Sequence, residues 1–146
     1  MHKKHIRTQI VKEKEDLQQA LDIRRQVFVL GQGVPPDLEV DGEDRRCTHF
    51  LVFAGKTAVG TGRLRGYREG VVKIERMAVL SPWRNQGIGR QLLDRMIAYA
   101  ADTGYHTAVL HAQTPAVSFY ARAGFEQEGE VFYEADLPHV QMSKPL

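Results

Sequence analysis

The sequence predicts an α/β domain of three layers, a central mixed and mostly antiparallel sheet flanked by helices. Three observations carry that expectation. Short apolar runs bounded by turn residues alternate with segments of helical spacing. The order is strand, helix, three antiparallel-type strands, helix, strand, helix, two strands. A glycine-bearing loop joins one strand directly to the clearest helix.

Each element has its own signal. His5 to Val11 reads as a first strand, weakly marked by Ile6 and Val11. Lys14 to Phe28 reads as a helix, with Leu17, Ala20, Leu21, Arg24 and Phe28 on one side. Gly31 to Arg46 holds glycines, prolines and acidic residues, and reads as a structured loop with a short helical turn. Thr48 to Phe53 and Ala58 to Arg65 form a hairpin about Ala54-Gly55-Lys56-Thr57, and Val71 to Val79 is a third extended run. Gly87 to Ala101 is the clearest helix, with Ile88, Leu92, Leu93, Met96 and Ile97 as its apolar face and Gly104 as its stop. Thr107 to Ala112 is a buried-type strand. Thr114 to Ala123 is a helix, with Thr114 expected as N-cap and Pro115 in first position. Phe125 to Glu134 and His139 to Ser143 are the last strands.

Composition sets the bounds. The 146 residues suit one domain over 1–146, large enough to fold without disulfide or metal. The single cysteine, Cys47, permits no internal disulfide and reads as a small core residue. The net charge of +2, without a patch of interleaved aromatic and basic residues, argues against a nucleic-acid partner. No apolar run approaches the roughly 18 residues of a membrane span, and no signal-type apolar region follows the basic opening Met1 to His5. A cytoplasmic protein is expected. No set of His, Cys, Asp and Glu has convincing metal spacing.

The chemistry is concentrated where the strand Ile74-Glu75-Arg76-Met77-Ala78-Val79 runs through Leu80 to Gln86 into Gly87-Ile88-Gly89. A helix N-terminus has backbone N–H groups without partners and a partial positive charge. Gly87 and Gly89 remove side chains that would block a close approach, so a pyrophosphate can rest on the backbone. Arg84 and Arg90 can add charge-assisted bonds. The segment lacks the Gly-Lys-Ser/Thr of a P-loop and the third glycine of a dinucleotide fingerprint.

A second segment, Ala116-Val117-Ser118-Phe119-Tyr120-Ala121-Arg122-Ala123-Gly124-Phe125, follows a short strand. With the glycine loop it resembles the GNAT superfamily of N-acetyltransferases over about residues 48 to 143. Leu21 to Val29, then Gln32, Val34-Pro35, Glu39, Asp41 and Asp44, with the strand Pro138 to Met142, is similar to its ElaA/YjcF-like branch. Gly31 stands where that branch usually has Glu.

The resemblance implies a GNAT-type fold, acetyl-CoA as co-substrate, no metal, and direct attack of a small-molecule or peptide amine on the acetyl thioester. Backbone groups of Arg84, Asn85, Gln86, Gly87, Ile88, Gly89 and Arg90 would hold the pyrophosphate. Met77, Ala78 and Val79 would line the thioester and pantetheine, with the Val79 N–H on the carbonyl oxygen. Gln113 would reach pantetheine or acceptor, and Phe119 would stand beside the cofactor. Tyr120 is the implied general acid. Glu75 and His139 are rival bases, and water could relay for either. A strand period of two would put Glu75 on the face of Met77. His49 and His111 could also face the cleft. Arg24, Arg25, Arg63, Arg65 and Arg76 read as a solvated basic surface that could border the acceptor pocket, and Trp83 as exposed near the cofactor. Family habit suggests a homodimer. A fold that holds acyl-CoA for regulation, without turnover, is the alternative.

Overall fold

The alternation of apolar residues in the predicted strands builds one sheet with a helix-covered core on each face. The structure, a computed structural model, describes residues 5–146, and the basic opening residues 1–4 lie outside it. The strands are β1 (Ile6–Ile10), β2 (Thr48–Ala54), β3 (Thr57–Arg68), β4 (Val71–Val79), β5 (Thr107–Gln113), β6 (Glu126–Glu134) and β7 (Leu137–Pro145). They lie in the order β1-β2-β3-β4-β5-β7-β6. All neighbours are antiparallel except β4 and β5, which run parallel.

Strand β2 shows how the layers are assigned. Phe50, Val52 and Ala54 turn to one face and pack with α3 (Ile88–Asp102) through Ile88, Leu92, Leu93, Met96 and Ala100. Leu51 and Phe53 turn to the other and meet α1 (Lys14–Arg24) at Ala20 and Ile23. Burial of each large apolar side chain contributes about 1.5–3 kcal/mol. Two shorter helices, α2 (Pro36–Glu39) and α4 (Val117–Arg122), complete the helical set.

The structure departs from the expected elements at several points. The first helix does not continue as α-helix to Phe28. From Arg25 to Leu30 it widens into a π-helical turn, a form that recurs at functional sites. Thr114 is not an N-cap: Thr114–Ala116 is a 3₁₀ turn ahead of α4, and no side chain caps either piece. Cys47 is half-buried rather than core, with its thiol on the Glu43 carbonyl at 3.2 Å. Trp83 is half-buried against the core beside α3, not exposed.

Two irregularities position the site. Between Thr61↔Ala78 and Arg63↔Glu75, two steps along β3 match three along β4. The extra residue is Arg76, at φ 56, a conformation costing an ordinary residue about 1–2 kcal/mol. Its guanidinium offsets this cost, with Nε 2.8 Å from the Glu39 carboxylate and Nη2 on the Glu39 carbonyl at 3.2 Å. The second irregularity is a parting. Strands β4 and β5 are paired only from Val71↔Thr107 to Ile74↔Leu110, and their C-terminal ends diverge.

Candidate active site

The parting of β4 and β5 leaves backbone groups without a ladder. Leu80 donates its N–H to the Val59 carbonyl at 2.9 Å and so faces β3. Backbone groups alternate along a strand, which turns the N–H groups of Met77 and Val79 toward the gap. The Val79 carbonyl accepts Arg84 Nε at 2.8 Å. Its N–H points into the gap.

A cleft lies on each side of this gap. One, of about 650 Å³, runs along Trp83, Arg84, Asn85, Gly87, Gly89, Arg90, Pro115, Phe119 and Arg122. The other, of about 540 Å³, is lined by Phe28, Val34, Leu38, Lys73, Glu75, His111, Gln113, Glu134, Leu137 and His139, among others. Met77, Ala78, Val79, Arg84, Ala116 and Tyr120 line both, so the two meet at the parted strands.

The first cleft is receptive to anions. Gly87 stands at φ 81 before α3, and no side chain caps the helix. The first bond of the helix runs from Gln91 N–H to the Gly87 carbonyl, so the N–H groups of Ile88, Gly89 and Arg90 have no helical acceptor. Buried Ile88 pins this turn to the core. Arg84, Arg90 and Arg122 line the cleft, and among the described residues no carboxylate does. Arg90 is turned along the helix, with Nε on Asp94 at 2.9 Å and Nη1 on the Arg122 carbonyl at 3.4 Å. Gln86 bonds the Pro82 carbonyl at 3.2 Å and closes the loop on itself. A Cβ at Gly89 would lie 3.4 Å from Phe119 Cζ. The ring of Phe119 is therefore the opposite wall.

Tyr120 stands at the junction. Its ring is edge-on to Phe119 and Phe125, at 5.0 and 6.0 Å between centroids. Its hydroxyl makes no hydrogen bond among the described residues. Burial pushes the phenol up to about 12, so it remains a proton donor across the working pH range.

His139 is buried at 8% exposure and lines the second cleft. Its Nδ1 lies 2.7 Å from the Leu137 carbonyl. A carbonyl only accepts, so Nδ1 holds the proton and Nε2 is left with a lone pair. Phe132 stacks on the ring at 6.0 Å.

Glu75 lines the same cleft in another electrostatic state. It does not share a face with Met77, because the Arg76 bulge inverts the alternation. Met77 joins the core beneath α3, while Glu75 turns to the α1 side. There its carboxylate takes Arg65 Nε at 2.8 Å, Arg63 Nη2 at 3.2 Å and Lys73 Nζ at 3.5 Å. Burial would raise its pKa, but the hydrogen bond from Arg65 and the charges of Arg63 and Lys73 outweigh it and hold the carboxyl below its ordinary value.

The expected basic surface is thus partly a buried network. Arg24 and Arg63 are 1% and 0% exposed. Arg24 pairs with Glu39 and Asp44, and Arg63 with Asp41, Asp44 and Glu75. These pairs tie the acidic loop after α1 to the sheet, and of their members Glu39 and Glu75 line the cleft. His49 is buried beneath the same loop, with Nε2 on the Asp44 carbonyl at 2.9 Å, and does not line the cleft. Gln113 does, through reciprocal amide bonds with Gln32 at 2.9 and 3.3 Å that join β5 to the end of the π-helical turn.

Two lining residues had no signal as a pair in the sequence. His111 Nδ1 meets Glu134 Oε1 at 2.6 Å. Only the return of the β6–β7 hairpin brings them together. Among the described residues no group of three His, Cys, Asp or Glu side chains could hold a metal ion, and no helix is long and apolar enough to cross a membrane.

Comparison with known proteins places this geometry. A family model described as an acetyltransferase (GNAT) domain matches residues 13–146. The uncharacterized N-acetyltransferase YjcF of Bacillus subtilis (strain 168) is 38% identical over 136 residues, covering 92% of this chain and 96% of that protein. The crystal structure of Escherichia coli ElaA superposes with a TM-score of 0.85 at 26% identity, over 96% of this chain and 99% of that one. A Bacillus subtilis acetyltransferase in complex with CoA superposes with a TM-score of 0.76 at 20% identity, over 97% and 99% of the two chains.

Proposed function

Because the chain belongs to the GNAT family of acetyltransferases, we propose that it transfers the acetyl group of acetyl-CoA to a primary amine by direct attack within a ternary complex. The observation that carries the reading is the parting of β4 from β5 beyond Ile74↔Leu110. It joins an anion-receptive cleft to a second cleft containing a free imidazole nitrogen.

The residues present fit acetyl-CoA. The unpaired N–H groups from Ile88 to Arg90, with Arg84 nearby, suit a pyrophosphate, and the Met77 and Val79 backbone suits an amide-bearing arm passing through the gap. Acetyl-CoA supplies the acetyl thioester. The Val79 N–H polarises the carbonyl oxygen. His139 Nε2 takes a proton from the acceptor nitrogen as the N–C bond forms and the C–S bond breaks. The Tyr120 hydroxyl donates a hydrogen bond to the departing sulfur, and the thiolate takes its proton from solvent. Glu75 holds the wall through its arginines rather than acting as the base, because a carboxylate braced by three cations is a weak proton acceptor. Holding the amine and the thioester in one geometry accounts for most of the gain in rate.

Calorimetric titration with acetyl-CoA, with CoA and ATP as comparisons, tests the cofactor. Thiol release in the presence of amines then tests turnover. Selective binding with thiol release is expected. Binding without release from any amine would favour a regulatory acyl-CoA module, and no binding by folded protein would remove the reading.

A further inference from the structure

The carboxylates lining the acceptor-side cleft differ in what holds them. Glu39 is 3% exposed and lies between Arg24 and Arg76, at 2.9 and 2.8 Å. Glu75 is 8% exposed and is held by Arg63, Arg65 and Lys73. Glu134 is 46% exposed and, among the described residues, forms no ion pair with Lys or Arg, although the charge of Lys73 across the cleft still acts on it. Its single partner is His111, which takes Oε1 at 2.6 Å. That ring is itself fixed, with Nε2 3.3 Å from Gln141 Oε1 and its plane edge-on to Phe132 at 4.9 Å. Among the described residues, Oε2 has no hydrogen-bond or ion-pair partner. The result is an oriented, half-exposed carboxylate on the cleft wall, held by one histidine where Glu39 and Glu75 are each held by two or three Arg or Lys side chains.

The position of Glu134 relative to His139 follows from register. Phe132 pairs with His139, and Glu134 with Leu137. Glu134 and His139 are therefore diagonal neighbours on one face, about 7–8 Å apart along the backbone. A carboxylate that held the reacting nitrogen would stabilise its ammonium form and oppose the proton loss that attack requires. The hydrogen bond from His111 also keeps the Glu134 carboxyl below its ordinary value, so it is a poor acceptor for that proton. Glu134 suits a cation that does not react.

We propose that Glu134, oriented by His111, binds a second, non-reacting ammonium group of the acceptor, so that the cleft selects amines with a second positive charge distal to the reacting nitrogen. The substrate class is diamines and amines bearing a comparable distal cation. This rests on the acetyl-transfer reading above and deepens it. Glu134 is a specificity residue, and its effect falls on acceptor affinity rather than on the chemical step.

The test uses the full chain with saturating acetyl-CoA and two probes of equal length, 1,5-diaminopentane and n-pentylamine. Thiol release gives kcat/KM for each, and calorimetry gives acetyl-CoA affinity separately. Wild type is expected to prefer the diamine by about 10–100-fold, the range for one charge-assisted contact. Glu134→Gln is expected to erase most of that preference through the KM of the diamine, with acetyl-CoA affinity kept as the check on folding. Glu134→Asp retains the charge and is expected to keep part of the preference. A preference that survives Glu134→Gln overturns the proposal. So does a wild type that acetylates neither probe, or that favours the monoamine, while binding acetyl-CoA. Loss of acetyl-CoA binding by wild type would instead overturn the cofactor reading, and this proposal with it.

Discussion

His139 Nδ1 lies 2.7 Å from the carbonyl oxygen of Leu137, two residues earlier on the same strand. The contact decides which nitrogen can act. With Nδ1 tied to a backbone acceptor, the ring is held in the tautomer whose Nε2 accepts. His139→Gln is expected to lower kcat by about 10²–10⁴-fold, the usual worth of a positioned base, with acetyl-CoA affinity retained. Steady-state thiol release and calorimetry check this together. Turnover near the wild-type rate would move the base to a water or to Glu75.

Tyr120 is expected to act chiefly as a hydrogen-bond donor. Its phenol is pushed up to about 12 by burial, against about 8.5 for an ordinary thiol. Complete transfer to a thiolate therefore runs uphill, while a bond to the developing charge does not. Tyr120→Phe is expected to lower kcat by about 10–100-fold, the worth of one hydrogen bond to a charged group. Since the phenol stays protonated well past neutrality, the variant should keep the wild-type shape of its pH–rate profile on the alkaline side. An alkaline limb near neutrality that vanished in Tyr120→Phe would show that Tyr120 titrates during turnover.

Much of this site is legible in the sequence because it is local. The run from Ile74 to Gly89 encodes strand, loop and helix start in one stretch, and the 3.6-residue spacing of Ile88, Leu92 and Met96 sets which face is buried. Alternation fails at Arg76, because one left-handed residue reverses the faces of the residues around it and nothing in its side chain signals φ 56. Arg24 and Arg63 read as surface for a similar reason. Their acidic partners Glu39, Asp41 and Asp44 lie in a loop whose path only the folded sheet defines. The meeting of Glu134 with His111 depends on strand order across β5, β7 and β6, which no single segment contains.

The buried network makes a stability prediction. Arg63 is fully buried and contacts three carboxylates, Asp41, Asp44 and Glu75. Removing one partner of such a set leaves uncompensated charge behind, at a cost of about 3–5 kcal/mol. Arg63→Met should lower the urea midpoint accordingly, whereas Arg46→Met, whose side chain is 81% exposed, should change the unfolding free energy by at most about 0.5 kcal/mol. Equal effects from the two would mean that the network is solvated in solution.

Acid should unfold the protein in two stages. Burial lowers the pKa of His49 below its ordinary 6.5, so the ring stays neutral when folded while the unfolded chain takes up a proton. Stability then begins to fall as pH drops below about 6.5. Asp41, Asp44 and Glu75 follow. Burial alone would raise them, but bonds from Arg24, Arg63 and Arg65 hold all three below their ordinary 3.8 to 4.5. Their contribution is complete above those values and is lost as pH falls through and below them. Urea midpoints across this range check both stages. His49→Gln should flatten the upper stage alone, and a wild-type midpoint that does not change until the carboxylates titrate would exclude a role for His49.

Gly89 separates cofactor binding from folding. Unlike Gly87, it does not need a left-handed backbone, and a Cβ there would meet Phe119 Cζ only at 3.4 Å, an ordinary contact. Gly89→Ala should therefore fold and bind nearly as wild type. A leucine extends further, either against Phe119 or across the unpaired N–H groups that open α3, where a pyrophosphate would rest. Loss of one charge-assisted bond there predicts about 10–150-fold weaker acetyl-CoA binding for Gly89→Leu, measured by calorimetry beside a thermal unfolding scan. A folded Gly89→Leu protein with wild-type affinity would show that the anion sits elsewhere. Weakened affinity with an unchanged unfolding temperature would assign the loss to the loop itself.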